Sequence, residues 1–156
     1  CEDILFALAL KNHGARFAFA PEAIVWFRPR GSLRAFARQY YFYSRGDGVA
    51  GLWGTRHAVR YATYAGAAGI TLASRRYPWM ALLLLTGILA YCRAPFRRLR
   101  LRAPGLSLFD LARAAALIPI IRVVGDLAKM AGYPVGVIRR LRTPVLHDTV
   151  RAYRRR

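Results

Sequence analysis

The sequence predicts an α/β segment at the edge of a larger domain, followed by mainly helical segments that are embedded in a membrane or lie at its surface. Three observations predict this organisation. The residue pattern over 2–27 is typical of a helix, a strand, a turn and a second strand in that order. Residues 61–74 and 77–92 contain no charged side chain. The whole chain of 156 residues is 56% hydrophobic, with 26 basic against 7 acidic residues.

Composition excludes two classes of protein. The hydrophobic and aromatic content is too high for an intrinsically disordered chain. The cysteines are Cys1 and Cys92, which excludes a disulfide scaffold. The net charge of +19 leaves a nucleic-acid-binding module or a membrane protein with basic cytoplasmic faces. Because the chain starts at Cys1 within a predicted helix, we expect it to be the C-terminal part of a longer polypeptide.

The first predicted domain, residues 1–56, begins with the α/β segment. Apolar residues at helical spacing predict a helix over 2–13, and Gly14 supplies its left-handed end. Residues 16–20 alternate, and residues 23–27 are rich in β-branched and aromatic side chains, so each predicts a short strand. We expect these elements to form the edge of an α/β domain whose main sheet lies elsewhere.

A second helix is predicted over residues 33–45, because Ser32 is a good N-cap and Gly46 a good end. It carries an aromatic stripe and a separate arginine stripe. The arginines are Arg34, Arg38 and Arg45. Such a pattern is typical of a helix in a membrane interface, where arginines meet lipid phosphates. A helix packed on its own domain with a solvated basic face has the same pattern, and the two alternatives are compatible.

The second predicted domain, residues 57–103, contains a transmembrane hairpin. The uncharged runs 61–74 and 77–92 flank a turn at Arg75 and Arg76. The two runs give about 21 and about 24 Å of helix, somewhat less than a hydrocarbon core of ~30 Å, and flanking arginines and aromatic rings make up the difference. A buried helical hairpin of a soluble protein is the alternative, but neither run has a polar face.

Arginines mark the side of the membrane. Residues 93–102 contain five of them, and the positive-inside rule places that stretch in the cytoplasm. The turn at Arg75 and Arg76 is then external, and both the start and the tail of the chain are inside. We therefore expect a multi-pass protein of the cell inner membrane with its catalytic part in the cytoplasm.

The third predicted domain, residues 104–156, consists of interfacial amphipathic helices and a basic tail. The charged residues within 106–131 disfavour a full span and favour one or two interfacial helices with a kink at Pro119. A third span is left open. Residues 132–136 predict a turn.

Two ordered groups of residues resemble the end of the catalytic domain of family 2 glycosyltransferases of the GT-A type. The first is an acidic pair that opens a helix, then a glycine turn, a strand and a Pro-Glu-Ala turn: Glu2-Asp3, Leu5, Leu8 to Lys11, Gly14, Phe19 to Ala23 and Val25. The second is Pro29 to Leu33, Arg38 to Tyr40 and Tyr43 to Gly46. This set is similar to the bacterial exopolysaccharide members, including the succinoglycan-biosynthesis enzymes, and residues 125–133 resemble their closing segment.

The resemblance implies an inverting enzyme that uses a nucleotide-sugar donor. Its catalytic base maps onto Asp3, with Glu2 as the supporting neighbour, and the base takes the proton of the acceptor hydroxyl. A divalent cation, Mg or Mn, is also implied, with ligands that would precede Cys1. By spacing alone, an acidic pair at a helix start is usually no more than a favourable interaction with the helix dipole.

Processive members of the family carry a Gln-x-x-Arg-Trp motif on an interface helix. Gln39 matches it, whereas Phe42 stands in place of the arginine and Tyr43 in place of the tryptophan, which argues against a processive synthase. The resemblance leaves substrate-binding roles for Gln39, Tyr43, Arg45 and Arg38. Interface packing is the alternative for these side chains.

We therefore predict the C-terminal part of a membrane-anchored inverting glycosyltransferase that acts on a lipid-linked or other saccharide acceptor in cell-surface polysaccharide synthesis. We expect this chain alone to be inactive. A non-enzymatic basic membrane protein that binds anionic lipids is the alternative. A nucleic-acid partner is not expected, because the arginines border the uncharged runs. Residues 1–74 hold nine basic and four acidic residues, and residues 75–156 hold seventeen basic and three acidic residues. We therefore expect most of the positive charge to lie on the cytoplasmic side of the membrane, next to lipid headgroups.

Overall fold

A computed structural model describes residues 2–102 and 105–142. Within them the fold is all-α, with five helices in the order α1 (Glu2–Asn12), α2 (Leu33–Ala50), α3 (Gly54–Ser74), α4 (Met80–Arg102) and α5 (Leu108–Arg142). The chain forms two compact units. One comprises the described residues of Cys1–His57 and Ala128–Arg156, and the other comprises Ala58–Leu127.

The predicted α/β segment is wrong. Residues 15–20 and 23–30 have no regular structure, and the rings of Phe19 and Trp26 are 91% and 93% exposed. A strand is stable only when a neighbouring strand pairs with its backbone and a face is buried. The backbone bonds here are local ones, such as that from Ala23 N to the Ala20 carbonyl, and the described residues contain no strand that pairs with either stretch.

The helix boundaries on either side of the predicted α/β strands are mostly as predicted. α1 ends one residue early, at Asn12, and Gly14 has the expected left-handed backbone with φ of 85°. Ser32 caps α2, since its Oγ accepts a hydrogen bond of 3.2 Å from Ala35 N. α2 continues past the predicted end at Gly46, however, and stops at Gly51, whose φ is 67°.

Glycines explain both this continuation and a second correction. A Cβ at Gly48 would overlap the Tyr133 carbonyl oxygen, and one at Gly136 would overlap the Arg45 carbonyl oxygen. α2 therefore contacts the C-terminal half of α5 backbone to backbone, and this packing outweighs the low helix propensity of glycine. The turn predicted at 132–136 is wrong for the same reason, because these residues lie inside α5.

α3 covers the predicted run 61–74 and α4 covers most of the predicted run 77–92, but a pair of membrane-spanning helices is not supported. α3 and α4 are joined by a turn that starts at Arg75 and Arg76. Among the described residues, one segment, Met80–Leu101, is long and apolar enough to cross a membrane. By length and composition this indicates membrane association of one helix, and a multi-pass arrangement is not supported. α3 falls short because its uncharged run consists largely of Ala, Gly, Thr and Tyr, which are only weakly hydrophobic.

α5 is one continuous helix where one or two were predicted. It begins with a reciprocal cap, in which Ser107 Oγ accepts from Asp110 N at 3.1 Å and donates to Asp110 Oδ2 at 2.7 Å. It then runs through Pro119 and Pro134 without an interruption.

Candidate functional site

Several side chains that the resemblance assigns to substrate meet on one side of α2. Gln39 Nε2 donates a hydrogen bond of 2.6 Å to the Tyr43 hydroxyl. Arg30, just before the helix, donates from Nε to Gln39 Oε1 at 3.3 Å. Because Gln39 and Tyr43 are four residues apart, one helical turn brings them side by side. We call the following set the α2 face: Arg30, Arg38, Gln39, Phe42, Tyr43 and Arg45.

The ring of Phe42 lies between two guanidinium groups of the α2 face. The Cζ atoms of Arg38 and Arg45 are each 5.7 Å from its centroid, within the range of a cation–π contact. Phe42 occupies the position at which the family motif has arginine. The aromatic ring thus holds two flanking arginines, and positive charge stays at this turn of the helix.

A shallow cavity of about 390 Å³, open to solvent, lies on the α2 face. Its lining includes Arg30, Arg38, Gln39 and Phe42. The guanidinium groups suit a phosphate, which they bind through two parallel hydrogen bonds. The amide of Gln39 suits hydroxyl groups, and the half-exposed ring of Phe42 offers a flat apolar surface. The cavity therefore combines the groups needed to hold a phosphorylated sugar.

The predicted site residues fall into two parts of the structure. Arg38, Gln39, Tyr43 and Arg45 are brought together on the α2 face. Asp3 lies in the first turn of α1 with an exposed side chain, and the side chain of Glu2 lies outside the part of the chain that the structure describes. The catalytic roles of this pair stay predictions.

A second polar cluster surrounds Asp126, in α5. Its carboxylate is buried, with 8% of the residue exposed. Arg60 of α3 donates from Nε to Oδ1 at 2.9 Å. Tyr64 donates to Oδ2 at 3.4 Å, and Tyr91 of α4 donates to the same oxygen. The Arg122 guanidinium lies 3.8 Å from the Tyr91 ring centroid.

This cluster links α3, α4 and α5 through the carboxylate of Asp126. Both oxygens of Asp126 accept hydrogen bonds, which is the condition under which a buried carboxylate is tolerated. A carboxylate whose two oxygens already accept hydrogen bonds is better suited to a structural role than to that of a general base. Asp126 falls among the charges that disfavour a third span and in the segment 125–133 of the resemblance, but no cluster around it was predicted, because its partners lie 35 to 66 residues away in the chain.

A third cluster lies at the start of α3. His57 is 3% exposed, and its Nε2 lies 3.4 Å from Asp47 Oδ2. The His57 ring stacks on Tyr133, with centroids 3.8 Å apart and planes at 15°. Burial raises the pKa of Asp47 above its ordinary value, whereas the hydrogen bond from His57 and the charges of His57 and Lys129 pull that pKa down.

Metal ligands are not found together in the described ranges. No three side chains of His, Cys, Asp or Glu in residues 2–102 and 105–142 lie close enough to share a metal ion. The residues present there do not fit the divalent cation that the resemblance implies, and no chemical step is derived through it.

Comparison with known proteins gives no further assignment. No family model matches the chain, no curated protein matches it, and no solved structure matches it.

Proposed function

We propose that the chain belongs to a membrane-associated inverting glycosyltransferase, in which the α2 face contacts the phosphorylated sugar. The substrates are a nucleotide-sugar donor and a saccharide acceptor carried on a lipid. The observation that carries the proposal is the cavity of about 390 Å³ lined by Arg30, Arg38, Gln39 and Phe42. It places cationic, amide and aromatic groups within one turn of each other.

The chemistry of the α2 face supports this substrate class. Tyr43 accepts the hydrogen bond from Gln39, so that the hydroxyl proton of Tyr43 remains available to donate to a sugar oxygen. Arg38 and Arg45 hold positive charge on either side of Phe42, where a diphosphate group finds two bidentate donors.

Asp3 is proposed as the base. Its side chain is exposed and lies in the first turn of α1. As the acceptor oxygen attacks the anomeric carbon, its proton passes to Asp3, the bond to the phosphate oxygen breaks, and the nucleoside diphosphate leaves.

We propose the cytoplasmic face of the cell inner membrane as the location. Tyr64 of α3 and Tyr91 of α4 reach the same carboxylate of Asp126, so α3 runs back alongside α4. The part of α3 around Arg60 then lies towards the end of α4 that carries Arg93 and Arg97, which the positive-inside rule assigns to the cytoplasm.

Binding to the purified chain in detergent tests the α2 face. A panel of nucleoside diphosphate sugars is titrated against the chain and followed by calorimetry. We expect Tyr43→Phe and Arg38→Gln each to weaken binding about tenfold, whereas Arg34→Gln, on the same helix but outside the cavity, leaves it unchanged. Equal binding by all variants, or no binding by the chain, would contradict the role of the α2 face.

Transfer activity tests the base. In a membrane preparation that shows sugar transfer, Asp3→Asn should abolish turnover while the amount of membrane-bound protein is unchanged. Full activity of this variant would remove Asp3 from the mechanism.

A further inference from the structure

A second cavity, shallow and open to solvent, lies along one face of α4. It has a volume of about 580 Å³, and every residue of its lining belongs to α4. Its apolar part is formed by Leu89, Ala90 and Phe96, and its basic part by Arg93, Arg97 and Arg100. The lining contains no carboxylate, so nothing in it neutralises the three arginines.

Helical spacing explains why these arginines act together. Arg93, Arg97 and Arg100 are separated by four and three residues, which puts their guanidinium groups on one face of the helix. Arg98 is equally exposed but does not line the cavity, because one residue of an α-helix turns the side chain by about 100°. Arg97 and Arg98 therefore carry the same side chain, but only Arg97 lines the cavity.

The change in polarity along the cavity defines the ligand. Residues 77–92 carry no charge. Leucines in this run, such as Leu85 and Leu89, are more than 50% exposed. The arginines begin at Arg93, directly after this run. A ligand that fits both parts has a hydrocarbon chain joined to an anion, and guanidinium groups favour phosphate among the anions because they bind it in bidentate fashion.

We propose that this face of α4 binds a membrane phospholipid, with the lipid phosphate on Arg93, Arg97 and Arg100 and an acyl chain along Leu89 and Phe96. The charge of the site selects an anion. The apolar part lies in the membrane-compatible segment Met80–Leu101, and this placement selects a lipid over a soluble phosphate. The site goes beyond the proposed transferase activity and does not depend on it.

The binding experiment uses the full chain in neutral detergent micelles. Phosphatidic acid is added as the probe, phosphatidylcholine as a neutral-headgroup comparison and inorganic phosphate as a probe without a chain, and bound lipid is counted by native mass spectrometry. We expect phosphatidic acid to bind best, because its phosphate is the least shielded. Arg97→Gln should weaken its binding about fivefold, as expected for one arginine at a lipid headgroup, whereas Arg98→Gln should change it less than about twofold.

A second pair of variants tests the apolar part. Leu89→Ser should weaken phosphatidic acid binding, whereas Leu72→Ser, at an equally exposed leucine of α3, should not. Circular dichroism of each variant establishes that the helical content is retained before binding is compared.

Three outcomes would overturn the proposal. Equal losses for Arg97→Gln and Arg98→Gln would mean that general charge, and not a site, attracts the lipid. Binding of inorganic phosphate as tight as that of phosphatidic acid would mean a phosphate site without a lipid. Displacement of phosphatidic acid by a single-stranded oligonucleotide, whose own binding is weakened by Arg97→Gln, would assign the face to nucleic acid.

Discussion

Arg60 on α3 donates a hydrogen bond of 2.9 Å from its Nε to Oδ1 of Asp126 on α5, and both side chains are largely shielded from solvent. This ion pair lies within a cluster that also holds the hydroxyl groups of Tyr64 and Tyr91. A buried pair of this kind adds little over a well-packed apolar pair, but removal of one partner leaves the other charge uncompensated. The cluster therefore determines how three helices are held together.

Asp126→Leu is expected to destabilise the fold. The substitution leaves the Arg60 guanidinium and two hydroxyl groups without their acceptor, and we expect a loss of about 2–4 kcal/mol in the free energy of unfolding. Chemical denaturation in detergent, followed by far-UV circular dichroism, measures it. Glu22→Gln, which removes one exposed negative charge from a loop, is the control, and equal stability of the two variants would contradict a structural role for Asp126.

Gly136→Ala is expected to destabilise the contact between α2 and α5. The added methyl group would overlap the backbone carbonyl of Arg45, which costs about 1–3 kcal/mol when the helices must move apart. At Gly66, inside α3, the same substitution meets open space and should stabilise the helix by about 0.5–1 kcal/mol. Thermal unfolding of the two variants should thus shift in opposite directions; a shared direction would argue against the close approach.

Stability should depend on pH through Asp47. Because burial raises the pKa of this carboxyl above 3.8, the folded state holds its proton more tightly than the unfolded state does. The stabilisation from this group is complete below its ordinary pKa and is lost as pH rises through the raised pKa. The difference in unfolding free energy between the unmodified chain and Asp47→Asn should therefore decline as pH rises from about 3 to about 6. A difference that grows over this range would mean that the pairing with His57 outweighs burial.

A charge in α4 should disturb membrane insertion more than a charge in α3. Leu85→Arg places a cation in the middle of the uncharged run 77–92, within the segment Met80–Leu101, at a cost of about 2.5–3.5 kcal/mol for a helix centre. We expect this variant to become extractable from membranes by alkaline carbonate. Leu72→Arg in α3, at a similarly exposed position, should stay in the membrane fraction, and extraction of both variants would point to two inserted helices.

Local signals were sufficient for the helix boundaries that depend on a few neighbouring residues. The Ser32 cap, the left-handed Gly14 and the arginine turn after Ser74 were all predicted, because each depends on atoms within one helical turn. The strands at 16–20 and 23–27 were not formed, since β-branched and aromatic composition alone does not supply a pairing partner.

Distant contacts account for the other differences. Glycines at 46 and 132 are typical of helix ends, and only the backbone contacts at Gly48, Gly132 and Gly136 show why α2 and α5 continue. The same limit applies to the sites. Gln39 and Tyr43 were assigned substrate-binding roles from one short motif, and a spacing of four residues on a helix brings them together, whereas the side chains around Asp126 are joined by tertiary structure that no short motif encodes.

The glycine contact between α2 and α5 also has a consequence for how sequences of relatives should be interpreted. At Gly48, Gly132 and Gly136 the space for a Cβ is already filled by backbone atoms, so selection for folding alone should keep these positions invariant across species. Invariance at the three glycines would then carry no information about catalysis. Variation at Arg38, Gln39 and Tyr43, set against that constant background, is what would report a change of substrate.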